Sequence, residues 1–474
     1  MSEWLGKEVS VVGLGKSNLA LIRYLARKGA LITARDQKSK EELGGAYREL
    51  EALGARFCLG PGYLENLGDA DAIFLTPGMR KDLPQIETAR RAGVPILSEI
   101  SLFFDLCRAP IVGITGSSGK TTTTTLVGSL FEAAGLRVYV GGNIGRPLIE
   151  QVDDIPESAI VVLELSSFQL ELVEKSPRVA VVTNVSPNHL DVHKTMAAYV
   201  EAKRRIYRFQ GPEDHLVLNR DNSYTRAMAQ TAKARVLWFS RTQEVENGAY
   251  CCEGRIVIAR EGRSGRSIVD VCGVDEIPLL GSHNIENVLA ACAAAALVGV
   301  TPGTMRDVVT SFTGVAHRLE LVREANGVAY YNDSIATSPS RAMAALKAFQ
   351  RPVHLIAGGY DKALPFDEFA RVVCERCASL FLIGEAAGKI EQEVLAACAE
   401  MGRGPLIRRA ASLEEAVEGA SRLARAGEVV LLSPACASYD MFPNFEARGE
   451  RFRKVVHALT EQDVPHATAR GNER

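Results

Sequence analysis

The sequence lacks any apolar run long enough to cross a bilayer, and it lacks an N-terminal segment with the composition of a secretory signal. It also lacks a charge excess, because 55 Lys and Arg residues oppose 57 Asp and Glu residues and leave a net charge of −2. These absences argue against membrane insertion and against a general affinity for nucleic acid. We therefore expect a cytoplasmic protein that binds anions only at local sites.

Cysteine is not scarce, but the pattern of a disulfide framework is absent. The ten cysteines are scattered along 474 residues, which suits a reducing compartment. The single C-x-x-C, Cys374 to Cys377, falls where residues 366–382 read as an amphipathic helix leading into a strand. Because no second ligand pair follows, core or surface thiols are favoured over a zinc or redox site.

The length and the alternation of elements predict an α/β protein of about three domains. A hydrophobic content of 47% and a charged content of 24% are ordinary for globular domains. Apolar strands alternate with helical segments, which indicates parallel sheets with ligand crevices at the carboxyl ends of the strands. We place the domain boundaries at residues 1–108, 109–314 and 315–474.

The clearest motif is a glycine-rich phosphate loop. An apolar strand at 109–114 leads into the loop and helix start made of Gly116, Ser117, Ser118, Gly119, Lys120, Thr121 and Thr122. Backbone N–H groups and a helix N-terminus suit an anion, Lys120 can reach the outer phosphates, and the Thr121 hydroxyl is placed to bind Mg²⁺. The match is imperfect, because Ile114 occupies the first glycine position of the usual pattern.

The first segment predicts a second nucleotide site, of Rossmann type. Gly13-Leu14-Gly15-Lys16-Ser17 follows a strand, and Asp36 ends the next strand at the distance expected for a ribose contact. Asn18 replaces the third glycine of the fingerprint, so NAD is a weaker interpretation than nucleotide binding in general. Thr76-Pro77-Gly78 ends another strand, either at the same crevice or as a simple turn.

The central segment carries polar residues at several predicted strand ends. Glu164 closes a buried strand, where a carboxylate is costly unless it meets a cation, so it is a candidate Mg²⁺ ligand. His189 follows the next strand, whereas His193 is more typical of a structural histidine. Lys203 lies on a helix beside two arginines and, by composition alone, belongs to a basic helix face. Residues 238–274 read as a small antiparallel patch.

Taken together, the motifs resemble those of the Mur ligase family. The resemblance rests on the whole series in order: Gly116 to Thr122, Gly142-Asn143-Ile144-Gly145, Glu164-Leu165-Ser166-Ser167-Phe168-Gln169, Asn188-His189-Leu190-Asp191, Ala202-Lys203, His283-Asn284, His317-Arg318-Leu319-Glu320, Asn332-Asp333-Ser334 and Ser433-Pro434-Ala435. The segment Phe445-Glu446-Ala447-Arg448-Gly449 resembles the D-glutamate-adding branch. No Asp-Asn-Pro-Arg segment marks the diaminopimelate- or lysine-adding branch.

The resemblance implies a fold and an activity. It implies a UDP-binding Rossmann-like domain, a central P-loop ATPase domain and a C-terminal Rossmann-like domain that binds the amino acid. The implied reaction is ATP-dependent addition of D-glutamate to UDP-N-acetylmuramoyl-L-alanine through an acyl phosphate, in peptidoglycan precursor synthesis. The implied partners are these small molecules, ATP and two Mg²⁺ ions, and the implied protein is a monomer.

The resemblance also assigns roles to residues. The implied catalytic set is Lys120, Glu164, His189 and Lys203. The implied Mg²⁺ ligands are Thr121, Glu164, His189 and Lys203, the last carbamylated by CO₂. Besides the phosphate loop, the implied ATP contacts are Asn284, Asn287, Arg318 and Asp333. The implied substrate contacts are Gly15, Lys16, Ser17, Asp36, Thr76, Gly78 and Asn143 for the UDP substrate, and Thr337, Lys362, Ser438, Tyr439 and Phe445 for the amino acid.

Two departures and three alternatives remain at this stage. Ile335 stands where some family members carry lysine. The segment that ends at Lys362 reads Gly-Tyr-Asp-Lys in place of Gly-Asp-Gly-Lys. A different amide ligase of the superfamily would share most of the motifs. A nucleotide-dependent regulatory switch could use the phosphate loop, and an NAD-dependent dehydrogenase could use the Gly13-x-Gly15 fingerprint and Asp36.

Overall fold

The computed structural model describes residues 3–262, 265–279, 281–362 and 364–460. The chain divides into two compact units, one of residues 1–278 with 282–312 and the other of residues 279–281 with 313–474. Two β sheets lie in the first unit and one in the second. The predicted α/β class is confirmed, and each sheet falls inside one predicted segment. The boundaries at 108 and 314 stay predictions.

The first sheet is parallel and has five strands. Its elements are β1 Glu8–Val12, α1 Lys16–Arg27, β2 Leu31–Asp36, α2 Lys40–Leu43, α3 Gly45–Ala52, β3 Arg56–Leu59, β4 Ala72–Leu75, α4 Pro84–Arg91, β5 Ile96–Leu97 and α5 Glu99–Leu106. The strand order is β3-β2-β1-β4-β5, so the order reverses between β1 and β4. Ligands of open α/β sheets bind at such a reversal, which directs attention to the loops after β1 and β4.

The second sheet has nine strands. Its elements are β6 Ile111–Thr115, α6 Lys120–Ala133, β7 Val138–Gly142, β8 Ile160–Glu164, α7 Ser167–Leu170, β9 Val179–Val182, α8 Leu190–His193, α9 Met196–Arg208, β10 His215–Asn219, α10 Ser223–Ala229, β11 Arg235–Ser240, β12 Gly248–Cys252, β13 Arg255–Gly262, β14 Gly265–Gly273, α11 Ser282–Leu297 and α12 Pro302–Ser311. The first compact unit also contains short 3₁₀ turns, at Leu67–Asp69, Ile149–Asp154 and Val274–Glu276.

The order of this sheet, β14-β13-β12-β11-β10-β9-β6-β8-β7, places β6 between β8 and β9. These three strands are buried and almost wholly apolar, as strands covered on both faces must be. The patch predicted at 238–274 is antiparallel only from β12 to β14. Because β11 pairs in parallel with both β10 and β12, this patch extends the central sheet rather than standing alone.

The third sheet has six strands. Its elements are β15 Glu320–Ala325, β16 Val328–Asn332, α13 Pro339–Lys347, β17 Val353–Gly358, α14 Asp367–Arg376, β18 Cys377–Ile383, α15 Ala387–Met401, β19 Leu406–Arg409, α16 Leu413–Leu423, β20 Val429–Leu432 and α17 Phe445–Ala458. The order is β15-β16-β20-β17-β18-β19, and only β15 runs antiparallel to its neighbour. The polar loops after β16, β17, β18 and β20 therefore share one edge. Over the described residues, no helix combines the length and apolarity needed to cross a membrane.

Candidate active site

The phosphate loop joins β6 to α6, and two of its positions accept only glycine. Gly116 has φ +154°, and a Cβ atom there would overlap Thr183 Oγ1 at the end of β9. Gly119 has φ +79°, and a Cβ atom there would overlap Asn287. Neither position has room for a side chain, so both must be glycine. Without side chains there, the backbone N–H groups at the N-terminus of α6 can approach a ligand closely.

Neighbouring residues hold the loop in this shape. The Ser118 N–H donates to Asn184 Oδ1 at 3.0 Å. The Ser117 hydroxyl donates to Ser186 O at 3.0 Å and lies 3.1 Å from the Tyr199 hydroxyl. These contacts come from the segment after β9 and from α9, so the loop is preorganised by two neighbouring parts of the chain. Thr121 and Thr122 stand in the first turn of α6 beside it.

Two lysines converge on one carbonyl of the loop. Lys120 Nζ donates to Gly116 O at 3.0 Å and to Ser117 O at 3.2 Å, while Lys203 Nζ donates to Gly116 O at 2.7 Å. Lys203 is only 1% exposed, and its Nζ lies 4.7 Å from the centre of the Tyr199 ring. Burial, and secondarily the charge of Lys120, lower the pKa of Lys203 well below its ordinary value. The neutral, nucleophilic form of this amine is therefore more accessible than that of an exposed lysine.

Glu164 ends β8 with one carboxylate oxygen unsatisfied. Its Oε1 accepts a hydrogen bond from Asn143 Nδ2 at 2.9 Å, whereas its Oε2 is buried and has no hydrogen-bond partner. Gly142 precedes Asn143 with φ +92°, and a Cβ atom there would overlap the backbone of Glu164. A buried, half-paired carboxylate beside a phosphate loop fits a cation as its missing partner.

The two histidines after β9 have different surroundings. His189 has φ +54° immediately before α8, and its ring lies 5.1 Å from that of Phe168, edge to face. His193 Nε2 lies 2.9 Å from Ser167 Oγ, its Nδ1 lies 3.4 Å from Glu171 Oε1, and its ring stacks on Phe168. Burial lowers the pKa of His193. These contacts fit the structural role that the sequence favours for His193.

The first turns of α11 approach the phosphate loop. Asn287 Oδ1 accepts from Thr123 Oγ1 at 3.4 Å, and Asn287 Nδ2 donates to Asn284 Oδ1 at 2.9 Å. Asn287 is buried and also fills the space beside Gly119. Of the two predicted ATP-binding asparagines, Asn287 thus lies against the loop and Asn284 is hydrogen-bonded to Asn287.

In the first sheet, the loops after β1 and β4 meet at the reversal of strand order. Gly13 has φ +83°, and a Cβ atom there would overlap Thr76. Asp36 Oδ2 accepts from the Leu14 N–H at 2.7 Å, and Asp36 Oδ1 accepts from the Lys38 N–H at 3.0 Å. The predicted ribose contact therefore also braces the glycine loop, because its Oδ2 accepts from a backbone N–H of that loop.

The remaining predicted UDP contacts border the same crevice. Gly15 is the N-cap of α1, and Lys16 and Ser17 form its first turn. Lys16 Nζ donates to Gly145 O at 2.7 Å, which links this loop to the glycine-rich turn after β7. Gly78, with φ +85°, follows β4.

In the C-terminal unit, Asp333 follows β16 in a buried position. Its Oδ2 accepts from Ser433 Oγ at 2.8 Å, and its Oδ1 accepts from the Leu319 N–H at 3.2 Å. Burial raises the pKa of Asp333 to about 7. Arg318 lies between His317 and Leu319, which both have positive φ, in a tight turn closed by the Arg318 N–H donating to Val315 O. Asp333 and the Arg318 turn thus lie side by side.

The predicted amino-acid contacts are spread over three loops of this unit. Lys362 Nζ donates to Thr337 O at 3.5 Å, which joins the loops after β16 and β17. Ser438 is buried, whereas Tyr439 is 69% exposed and has its ring 6.4 Å from that of Tyr360. Phe445 begins α17, with its ring 6.1 Å from that of His317.

A buried arginine connects two of these loops. Arg448, on α17, donates through Nε to Ser334 Oγ and through Nη2 to Ser334 O, both at 3.0 Å. It also donates to Cys436 O and to Ala437 O, both at 3.1 Å. Burial lowers the pKa of Arg448 to about 10. The Asp333 loop and the Ser438 loop are thus both fastened to one guanidinium.

Family models match three successive parts of the chain. They are described as Mur ligase MurD-like, N-terminal domain, over residues 7–98; Mur ligase middle domain, over 114–295; and Mur ligase, glutamate ligase domain, over 317–436. A UDP-N-acetylmuramoylalanine–D-glutamate ligase of Symbiobacterium thermophilum is 54% identical over 458 residues, covering 96% of this chain and 99% of that protein. The chain belongs to the Mur ligase family. A ligase of the same name from Acetivibrio thermocellus is 48% identical over 96% of this chain and 97% of its own length.

Solved Mur ligase structures agree in fold. The UDP-N-acetylmuramate-alanine ligase MurC of Thermotoga maritima matches with a TM-score of 0.54 at 18% identity, covering 95% of this chain and 99% of that one. The MurF ligase of the same organism, solved in complex with ADP, matches with a TM-score of 0.51 at 19% identity, covering 96% of each chain. Membership of this ligase family disfavours the regulatory switch and the dehydrogenase.

Three residues have roles in this Mur ligase site that the motif series does not indicate, although Arg448 stands within the quoted segment Phe445 to Gly449. Thr183 and Tyr199 shape the phosphate loop, and Arg448 fastens two C-terminal loops. Thr183 could have been found as the residue that follows β9. Tyr199 and Arg448 could not, because each acts across more than 80 residues of chain.

Asp333 provides a pH test. An Asp ionises near pH 3.8 when unfolded and near pH 7 here, so the native state holds a proton that the unfolded state releases between these values. The resulting loss of folding stability is negligible well below pH 4 and grows as the pH rises. It levels off above pH 7 at about 4 kcal/mol at most. In chemical denaturation, Asp333→Asn should therefore gain stability relative to wild type between pH 5 and pH 8. A difference that stays constant with pH would contradict the raised pKa.

Proposed function

We propose that the chain is an ATP-dependent ligase that joins D-glutamate to UDP-N-acetylmuramoyl-L-alanine in peptidoglycan precursor synthesis. The observation that carries the proposal is the 54% identity, over almost the whole of both chains, to a ligase named for this reaction. The MurD-like N-terminal match supports the same branch. The geometry of the phosphate loop and the unsatisfied Glu164 carboxylate support the use of ATP and Mg²⁺.

The reaction has two steps. The substrate's terminal carboxylate attacks the γ-phosphorus of ATP, which forms an acyl phosphate and releases ADP. The D-glutamate amine then attacks the acyl carbon, the C–O bond to phosphate breaks, and the amine proton leaves as the amide forms. Both steps depend on positioning and charge neutralisation, and well-oriented reactants can lower the barrier by roughly 7–11 kcal/mol.

The phosphate loop and the N-terminus of α6 supply the positioning for the polyphosphate. Lys120 brings a cation to the loop, in contact with Gly116 O and Ser117 O, from which the outer phosphates are within reach of its side chain. We assign Asn284 and Asn287 to ATP because Asn287 packs against the loop and holds Asn284 by a hydrogen bond. Arg318 and Asp333 are proposed ATP contacts of the C-terminal unit.

The residues near the loop fit Mg²⁺ as part of a shared set of ligands. Glu164 Oε2 is the unsatisfied buried oxygen, and Thr121 and His189 are the further proposed ligands. Among the described residues, no group of three or more His, Cys, Asp or Glu side chains could hold a metal alone. Two Mg²⁺ ions would thus need a carbamate on Lys203 and phosphate oxygens. Bound Mg²⁺ would neutralise phosphate charge.

For the substrates, we propose contacts within each unit taken by itself. Gly15, Lys16, Ser17, Asp36, Thr76 and Gly78 would bind the UDP portion, and Asn143 would reach the substrate beside Glu164. Lys362, Thr337 and Ser438 offer a cation and hydroxyl groups to the two carboxylates of glutamate. Phe445 and Tyr439 would contact its carbon chain. Ile335 leaves the substrate region without the lysine that some family members carry, and the altered sequence Gly359-Tyr360-Asp361 bears on the local pose of Lys362.

The test is phosphate release by the purified full-length chain with ATP, Mg²⁺ and UDP-N-acetylmuramoyl-L-alanine, with and without D-glutamate. We expect release that depends on D-glutamate and a product heavier by one glutamyl residue. L-glutamate, L-lysine, L-alanine and meso-diaminopimelate serve as matched controls. Release with one of these instead of D-glutamate would keep the ligase and refute the branch, while no release with any amino acid would refute the ligase.

We also propose that the enzyme acts as a monomer in the cytoplasm. A nucleotide-linked substrate and ATP are cytoplasmic molecules, and all ten cysteines are free thiols. Light scattering of the purified protein at several concentrations should give a mass near 51.2 kDa throughout. A mass that doubles at micromolar concentration would contradict the monomer.

A further inference from the structure

Two thiols lie in contact in the C-terminal unit although they are 24 residues apart in sequence. Cys374 Sγ on α14 and Cys398 Sγ on α15 are 3.4 Å apart. Cys374 is buried, and its thiol also lies 3.7 Å from Val394 O, whereas Cys398 is partly exposed. The C-x-x-C motif had drawn attention to Cys374 and Cys377, but the observed sulfur contact is with a cysteine outside that motif.

The topology of the third sheet explains the contact. β17, β18 and β19 are adjacent and parallel, so the two crossover helices between them, α14 and α15, pack side by side on one face. Cys374 is part of the same apolar cluster as Val394 and Ala397 of α15, and Cys398 packs against that cluster. Beyond α15, Gly404 lies so close that a Cβ atom there would overlap Cys398 Sγ. The sulfur of Cys398 is thus held against Cys374 by the backbone of the following loop.

We propose that Cys374 and Cys398 are a modification site that forms a reversible disulfide by exchange with a low-molecular-weight disulfide. A disulfide needs an S–S distance of about 2.05 Å, so the sulfurs have to approach by roughly 1.4 Å. Side-chain rotation and a small shift of two packed helices can supply this. A zinc site is disfavoured because, among the described residues, no group of three or more metal-binding side chains surrounds the pair.

The order of the two exchange steps follows from exposure. Burial and the neighbouring Cys398 thiol raise the pKa of Cys374 to about 12, so Cys374 is a poor first nucleophile. The Cys398 thiolate attacks one sulfur of the small disulfide, which forms a mixed disulfide and releases one thiolate. The Cys374 sulfur then attacks Cys398 Sγ and releases the second thiolate. The two protein protons end on the two released thiols, so one small disulfide is reduced as the protein pair is oxidised.

The position of the pair predicts what the bond would do. Cys374 and Cys398 both lie near the C-terminal ends of their helices, whereas the loop with Lys362 precedes the N-terminus of α14. In parallel α/β sheets these helix ends lie at the edge opposite the ligand edge. The bond should therefore stabilise the C-terminal unit without changing the rate of phosphate release.

The test uses the reduced full-length protein incubated with oxidised glutathione under denaturant-free conditions. Alkylation and intact mass should count ten free thiols before oxidation and eight after it. Proteolytic mapping should find one peptide pair joined through Cys374 and Cys398. The midpoint of thermal unfolding should rise by roughly 5–10 °C and return on reduction.

Matched variants make the outcome decisive. Cys374→Ala should keep a glutathione adduct on Cys398 and form no internal disulfide. Cys398→Ser should form neither a glutathione adduct at position 398 nor the internal disulfide. Cys252→Ser, at an exposed cysteine, should retain the bond and the rise in unfolding temperature. Thiols at 374 and 398 that are alkylated separately after oxidation, or a bond from Cys374 to Cys377, would overturn the proposal.

Discussion

Replacing Lys203 with methionine is expected to lower phosphate release about a thousandfold, which corresponds to a loss of about 4 kcal/mol of transition-state stabilisation. Lys203 is fully buried, donates to Gly116 O of the phosphate loop, and has a pKa lowered by burial and by Lys120. A neutral, buried amine can add CO₂ and become a two-oxygen anion, a ligand that Mg²⁺ accepts. Methionine fills the space but cannot be carbamylated.

The measurement pairs Lys203→Met with Arg208→Met, an exposed position on the same helix. The control should retain wild-type activity, and both variants should unfold near the wild-type temperature because methionine is a good helix former. Wild-type activity should also fall in CO₂-depleted buffer and recover with bicarbonate. If activity does not depend on CO₂ and the Lys203→Met enzyme is active, Lys203 does not act as a carbamate.

Glu164→Gln should lower phosphate release at least a hundredfold and raise the Mg²⁺ concentration needed for half-maximal rate about tenfold or more. The reason is the buried Oε2, which has no partner within the protein, while Oε1 is already bound by Asn143. Glutamine can keep the Asn143 hydrogen bond through its own oxygen but cannot offer an anionic oxygen to the metal. Without Mg²⁺ the variant should unfold at the same temperature as wild type or higher, because an unpaired buried charge has been removed.

The control for Glu164 is Glu213→Gln, an exposed carboxylate of the same sheet region, which should leave the Mg²⁺ dependence unchanged. A Glu164→Gln enzyme with normal Mg²⁺ dependence but reduced rate would assign Glu164 to shaping the loop instead of binding metal. Loss of folding in this variant, detected by circular dichroism, would mean that the half-paired carboxylate is structural.

Those features of the site that depend on local geometry could be predicted from local sequence patterns. Gly116 and Gly119 are required by positive φ and by lack of space, and the strand–loop–helix context of Lys120 is contiguous in the chain. Glu164 could be singled out because a carboxylate in an apolar strand is anomalous without any structure. The α/β class followed from strands and helices that alternate in sequence.

Other features needed residues to be brought together over long distances. Composition assigned Lys203 to a basic helix face, and its burial became visible only when α9 packed on the phosphate loop. Asp36 looked like a ribose contact, but one of its oxygens also braces the Gly13–Gly15 loop and the other accepts from the Lys38 N–H. Residues 238–274 looked like an antiparallel patch, but β11 pairs in parallel with β12, and the patch continues the central sheet.

By itself the sequence determined the fold class, the phosphate loop and the order of motifs, since each depends on neighbouring residues or on spacing along the chain. Only the tertiary structure decided that Arg448 fastens two loops and that Cys374 meets Cys398 instead of Cys377. The physical reason is that helix packing sets these contacts. The face on which two crossover helices pack follows from strand order, and strand order is not written in any single segment.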